Sequence, residues 1–320
     1  MSELKNTFSW SFSQEQDFID CKRKHFFNRY GMWGGWDSGA SQEKRTAYRL
    51  KQMKNKWSLI GDAVETAVLE ILERRRVGSP YSAEMAMQTA MSLLRKAWKE
   101  HTSDKWRVNP KKYTCISELY YGKISPDSGS ERDEWVSLVR GRTEICIQNF
   151  FAQILPHIPN VTYEQIIPIA RAGQGDPEHF HLGGIKIYAI PDWVYKKEGK
   201  IVVHDWKTGI RRDKHKEQLA VYGLWSQRKH SVTPDEIELF VEYLESGEQT
   251  PVDYSVEIAS ALCDRILSSV KEMKQFLVNR DTEKNVPLPK ESFPETEDLS
   301  RCKNCNYIEL CGREFVTKID

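Results

Sequence analysis

Two groups of residues in this chain have types and spacings suited to chemistry. The first is Asp205-Trp206-Lys207, with Pro191-Asp192 placed thirteen residues before Asp205. Side chains alternate on a strand, so Asp205 and Lys207 share one face and Trp206 takes the other. An antiparallel hairpin turning near residue 198 brings Asp192 beside Asp205. Two carboxylates close together in an apolar sheet repel and drift toward protonation unless a cation lies between them. Mg²⁺ or Mn²⁺, which prefer hard oxygen ligands, would supply it. A lysine on the same face can then hold, or help deprotonate, the water that attacks a phosphodiester. The tripeptide alone is weak, because Glu3-Leu-Lys5, Asp20-Cys-Lys22, Glu198-Gly-Lys200 and Glu272-Met-Lys274 share the spacing. A solvated strand face is its plainer account. Company raises it: Gln218 and Tyr222, four apart on a predicted helix, share one face, and Glu65 sits among apolar neighbours on another.

The second group is Cys302-Lys-Asn-Cys305 followed by Cys311, a run too tight for core cysteines. Three thiolates need a fourth ligand to complete Zn²⁺ or an iron-sulfur cluster, and Cys115, Cys146, Cys263 and Cys21 are available. Cys146 and Cys263 fall in apolar helical patterns and read as core, whereas Cys21 lies among polar and basic neighbours.

The elements that must position these groups follow from hydrophobic period. Apolar residues from Leu50 to Leu72 recur at three and four, which predicts one long helix or two in line, ended by Gly78-Ser-Pro80. Further helices are expected over about 83–100 and 132–155. The second half turns to β-branched and aromatic residues. It predicts a strand over 161–170, carrying Glu164, and a hairpin from Ile185 to Trp206. A helix over 213–229, strands near 236–245 and 252–256, and a helix over 258–279 complete the pattern. Residues 281–299, with three prolines and six acids against two lysines, read as a linker or exposed arm.

Composition limits the answer. Hydrophobic residues at 39% and charged residues at 29% of 320 describe an ordinary globular chain, and a net charge of +1 excludes a large basic field. No apolar run reaches membrane-span length, the N-terminus lacks an export pattern, and the cytoplasm is the expected compartment, with no membrane partner. Seven cysteines there argue for a metal site over a disulfide framework. No glycine-rich phosphate loop marks an ATP-driven motor.

The order Gly61…Glu65, Asp192, Asp205-Trp-Lys207-Thr-Gly209 and Gln218-Leu-Ala-Val-Tyr222 resembles the PD-(D/E)xK nuclease superfamily. Within it the likeness is to the RecB-like exonuclease branch, in which a Gln-xxx-Tyr helix follows the catalytic strand. The resemblance implies an α/β fold with a restriction-endonuclease-like core, a small mixed sheet flanked by helices. It implies Asp192 and Asp205 as metal ligands, Lys207 as the catalytic lysine, and Gln218 and Tyr222 orienting Lys207 or the substrate. Where the branch usually carries a histidine ligand this chain has Glu65, so three carboxylates would make a somewhat harder site. The cysteines extend the likeness. AddB-type and CRISPR-associated RecB-like nucleases carry one cysteine before the core and a C-x₂-C-x₅-C group after it, together holding a [4Fe-4S] cluster. That implies Cys21, Cys302, Cys305 and Cys311 as cluster ligands, with zinc the alternative that spacing does not separate. Joining Cys21 to Cys302 closes a loop of roughly 280 residues, an entropy of about 5 kcal/mol that ligation and packing must offset. The cluster is therefore expected as a structural clasp.

Three segments are expected: 1–160, a helical region contributing one helix to the site; 161–280, the nuclease core; and 281–320, a linker and iron-sulfur segment. From Asp205 to His230 seven Lys or Arg face three acids, and Arg211, Arg212, Lys214 and Lys216 are candidates for phosphate contacts, or simply a solvated face. Phe8, Trp10, Trp33 and Trp36 are candidates for base stacking or core packing, and His179-Phe-His181 reads as surface. The expected function is a metal-dependent DNA exonuclease acting on single strands or ends, serving a separate helicase or a CRISPR or defence complex. The alternative is a catalytically weak nucleic-acid-binding or assembly subunit of such a helicase-nuclease, repair or defence complex.

Overall fold

The computed structural model describes residues 5–171 and 175–313. In chain order its regular elements begin with strand β1 (Ser9–Ser11) and helices α1 (Phe12–Asp20), α2 (Lys22–Phe26), α3 (Gln42–Lys51) and α4 (Lys56–Arg76). Helices α5 (Ala83–Thr102), α6 (Ser117–Tyr120) and α7 (Ser130–Asn149) follow. Then come strands β2 (His179–Leu182), β3 (Ile185–Tyr188), β4 (Trp193–Lys197) and β5 (Lys200–Lys207). Helix α8 (Asp213–His230), strands β6 (Ile237–Tyr243) and β7 (Glu248–Val252), and helix α9 (Val256–Lys274) complete the set. The chain divides into two compact units, each discontinuous in sequence. One holds the chain up to Asn55, Ala97–Gly129 and the chain from Arg265; the other holds Lys56–Lys96 and Ser130–Asp264. This division cuts across the consecutive segments expected from the sequence.

The second unit is a mixed sheet with helices. Its strands run in the order β4-β5-β6-β7, with β5 and β6 parallel and the outer pairs antiparallel. A parallel pair needs a long crossover, which α8 supplies by packing on β6. Every residue of β5 from Ile201 to Trp206 is buried. An inner strand buried on both faces reads as an apolar run, here broken only by His204 and Asp205. Helices α4 and α7 pack on each other in the same unit.

The expected single hairpin from Ile185 is two. Ile185–Tyr188 pairs with His179–Leu182 through a turn at Gly183 and Gly184, both with positive φ, and only Trp193–Lys197 pairs with β5. Pro191, which has no N–H to donate, lies where the two strands part. Nor is 161–170 a strand: Tyr163–Gln165 is a 3₁₀ turn capped by Thr162, and exposed Glu164 sits on it. The long helical pattern from Leu50 is two helices, interrupted between Lys51 and Lys56.

In the first unit, Phe27, Leu50, Trp106, Cys115 and Tyr307 form a buried core. Residues 281–299 are not a free arm. Phe293 is 0% exposed and its ring lies 4.9 Å from those of Phe26 and Phe276, while Arg23 Nε donates to the Phe293 carbonyl at 2.8 Å. Asn285 Nδ2 donates to the Asn6 carbonyl at 2.7 Å. Acids and prolines set the segment's average composition, but one buried phenylalanine sets its place. Trp10 and Phe8 are core residues. No helix among the described residues is long and apolar enough to cross a membrane.

Candidate active site

Strand β5 ends in the Asp205 and Lys207 pair. Asp205 is 2% exposed, and Lys207, on the same face, sets its ammonium against the Asp205 carboxylate. The register Trp193↔His204 puts Asp192, one residue before β4, across from Asp205, and Asp192 Oδ2 accepts the Trp206 N–H at 2.8 Å. From α8, Gln218 Oε1 accepts from Lys207 Nζ at 3.0 Å, and Gln218 Nε2 donates to the Tyr222 hydroxyl at 2.7 Å. Asp192, Asp205, Lys207, Gln218 and Tyr222 are thus brought into one cluster. Alternation on the strand and the four-residue helical repeat are enough to do this.

Electrostatics inside the cluster is adverse until a cation arrives. Burial, then the Asp205 and Glu65 charges, hold the Asp192 carboxyl well above the usual carboxylate range. Burial works against the Lys207 ammonium, yet the Asp205 and Asp192 carboxylates outweigh it and keep its pKa above the ordinary value. Burial and the same two carboxylates push the Tyr222 phenol far up, so it is a neutral hydrogen-bonding group.

An acid whose pKa is raised on folding binds more protons folded than unfolded, so its contribution favours folding below the unfolded value and is lost as pH rises through the folded one. The Asp192 contribution to the stability of the metal-free protein is therefore expected to fall as pH climbs from about 4 toward neutrality. Asp192→Asn should melt roughly 1–2 °C higher than wild type at pH 7.5 in EDTA for each kcal/mol of repulsion removed. Equal melting temperatures would refute the crowding of Asp192.

Glu65, on α4, is engaged elsewhere. Arg171 Nη1 contacts Glu65 Oε1 at 2.5 Å and Arg171 Nη2 donates to the Asp192 carbonyl at 3.1 Å. Sequence reasoning missed Arg171, since nothing local marks a residue 106 positions from its partner. Among the described residues no group of three Asp, Glu, His or Cys side chains is arranged to hold a metal ion as placed. The donor set is nevertheless all oxygen, buried and mutually repelling, which fits a hard divalent cation between Asp192 and Asp205. Because the guanidinium competes for Glu65, Arg171→Ala is expected to tighten Mn²⁺ binding by up to about fivefold in titration calorimetry. Weaker binding would mean that Arg171 supports the site instead.

Of the basic candidates, Arg211, Arg212, Lys214 and Lys216 are exposed around the start of α8, and Arg211 pairs with Glu248 at 2.7 Å. The opposite face of β5 carries a second polar group absent from the sequence reading. His204 Nδ1 meets Glu242 Oε1 at 2.6 Å, its Nε2 meets the Tyr195 hydroxyl at 3.2 Å, and Gln249 Nε2 donates to Glu242 at 2.8 Å. This chain of contacts crosses all four strands and pins their register.

In the first unit the four proposed cluster cysteines line one cavity of about 40 Å³ with Lys24, Tyr307 and Arg313. None is disulfide-bonded. Donors point at sulfur: Arg313 Nη1 to Cys302 at 3.0 Å, the Lys24 N–H to Cys21 at 3.4 Å and the Tyr307 N–H to Cys305 at 3.5 Å. Burial pushes the Cys305 thiol up and that of Cys311 to about 12. Convergent thiols facing N–H donors and two cations form a donor set that fits a thiolate-held metal group.

A model of the PD-(D/E)XK nuclease superfamily matches residues 9–312, nearly the whole chain, and the chain belongs to that superfamily. The fold, a mixed sheet flanked by helices with an acid-acid-lysine cluster at the end of its central strand, agrees with a nuclease core. No curated protein matches it.

Proposed function

We propose that this chain is a RecB-like exonuclease acting on single-stranded DNA or DNA ends. The observation that carries the reading is the Asp192, Asp205, Lys207, Gln218 and Tyr222 cluster at the end of β5. Mg²⁺ or Mn²⁺ held by Asp192 and Asp205 would polarise the phosphate and lower the pKa of the attacking water. Lys207 offers its ammonium to that water and to the charge developing on the phosphate. Gln218, anchored by Tyr222, accepts one N–H of the Lys207 ammonium, which fixes its rotamer and leaves it one donor fewer to satisfy. Exposed Arg211, Arg212, Lys214 and Lys216 contribute salt-dependent phosphate contacts.

Cys21, Cys302, Cys305 and Cys311 hold a [4Fe-4S] cluster as a structural clasp; the convergence of four sulfurs on one cavity supports this. The protein works in the cytoplasm on strands opened by a separate helicase or within a CRISPR or defence complex. The test is anaerobic purification, an absorption spectrum, and Mn²⁺-dependent digestion of end-labelled single and double strands. Stepwise loss of nucleotides from one end of single strands is the expected result. DNA binding with no cleavage in either metal would instead favour a nucleic-acid-binding subunit.

A further inference from the structure

We propose that a groove in the first unit, between the Trp36 turn, α3 and the Arg107–Pro110 segment, binds single-stranded nucleic acid. It has a volume of about 500 Å³ and is lined by Trp36, Tyr48, Arg45, Arg49, Arg107 and Val108, with Asp37 its one acidic group. The choice of a nucleic-acid strand over other polyanions rests on the nuclease reading.

Local charge points there first. Between Ser41 and Lys56 six Lys or Arg accompany Glu43 alone. Arg45 is exposed, and neither it nor Arg49 has a carboxylate partner among the described residues; Arg49 Nη2 donates only to the Thr46 hydroxyl at 3.2 Å. Arg107 pairs with Asp104 at 2.9 Å, but both side chains are more than half exposed, so the pair is weak and open to exchange for a phosphate.

The second observation is aromatic. Trp36 is 40% exposed at the groove and Val108 91%, unusual for such side chains beside arginines. Trp36 is braced from below, edge-on to Trp33 at 5.1 Å and to Tyr48 at 5.7 Å. The turn is pressed onto α3 so closely that a Cβ on Gly35 would sit 2.3 Å from the Lys44 carbonyl oxygen and 2.6 Å from Tyr48 Cβ. The indole is thus a built platform. Unpaired cations around an exposed, supported ring suit a strand with phosphates and free base faces. A duplex hides its base faces, and an acidic peptide has none.

The test measures anisotropy of a labelled dT oligomer on the full chain in EDTA, where cleavage does not contribute, across a salt series. Arg45→Ala/Arg49→Ala should weaken binding about tenfold or more at 100 mM salt and reduce the slope of log K against log salt by about 1.4. Trp36→Leu should weaken binding about five- to 150-fold with the slope unchanged. Arg45→Lys/Arg49→Lys should keep the wild-type slope, which separates charge from damage to α3. Unchanged affinity and slope in the alanine and leucine variants overturns the proposal, as does a polyglutamate peptide competing as well as dT. Intact cleavage by wild type with a silent groove removes this inference alone. A responsive groove on a chain that never cleaves removes the nuclease reading alone.

Discussion

Replacing Lys207 with glutamine is expected to slow Mn²⁺-dependent DNA cleavage by about 10²–10⁴-fold while leaving DNA binding in place. Lys207 is the cation set against both the Asp205 carboxylate and the Gln218 amide, and its own carbon chain is largely covered. On the proposed mechanism, removing its charge takes away the donor for the attacking water and the stabiliser of the developing phosphate charge. It also leaves Asp205, 2% exposed, without its neighbouring ammonium. Truncating one partner of a buried ion pair costs about 3–5 kcal/mol, so the metal-free variant should melt well below wild type. Added Mg²⁺ should narrow that gap, because a divalent cation replaces the missing positive charge. Gln218→Ala should give a smaller loss, since it frees the ammonium to move without removing it. Full Mn²⁺-dependent activity in the Lys207 variant would sink the nuclease reading.

The second large effect concerns the cysteine cavity. Cys311→Ser is expected to lose the visible absorption and most of the iron of the anaerobically purified protein. The proposed clasp would join segments separated by roughly 280 residues, worth about 5 kcal/mol of chain entropy if it alone held them. Protein contacts share that task. Arg265 pairs with Glu15 at 2.7 Å, Trp10 Nε1 donates to Ser269 at 3.1 Å, and Tyr307 stacks on Phe27 at 5.4 Å. The global loss should therefore fall short of 5 kcal/mol, with a local one around the cysteines. Hydrogen exchange in residues 294–313 should rise several-fold while that of β5 and β6 stays near wild type. Zinc in place of iron would keep the clasp and change its metal. No bound metal and unchanged exchange would discard it.

The meeting of Asp192, Asp205, Lys207, Gln218 and Tyr222 was legible from the sequence, and the reason is local geometry. Asp205 and Lys207 share a face because strand side chains alternate. Gln218 and Tyr222 share one because the helix repeats near four. Asp192 reaches Asp205 because a tight turn at Glu198 and Gly199, both with positive φ, sets the hairpin register. The strand at 185–188 was less legible. Its β-branched run is equally good on either sheet, and only the Gly183-Gly184 turn and Pro191 decide that it pairs backward with β2. Residues 281–299 misled in the other direction: acids and prolines describe the solvent side of a segment that Phe293 anchors from within.

By itself, then, the sequence determined which acid, lysine, glutamine and tyrosine side chains could gather at the end of β5, most of the helices around them, and the four cysteines worth placing together. All of these are written in short-range spacing. What only the tertiary structure decided are the pairings between distant residues. Arg171 takes the Glu65 carboxylate, and the Tyr195, His204, Glu242 and Gln249 contacts lace one sheet. The Trp36 turn meets α3 and the Arg107 segment to make a basic, aromatic groove. Such pairings depend on which buried surfaces find each other when the core closes, and no period along the chain records that.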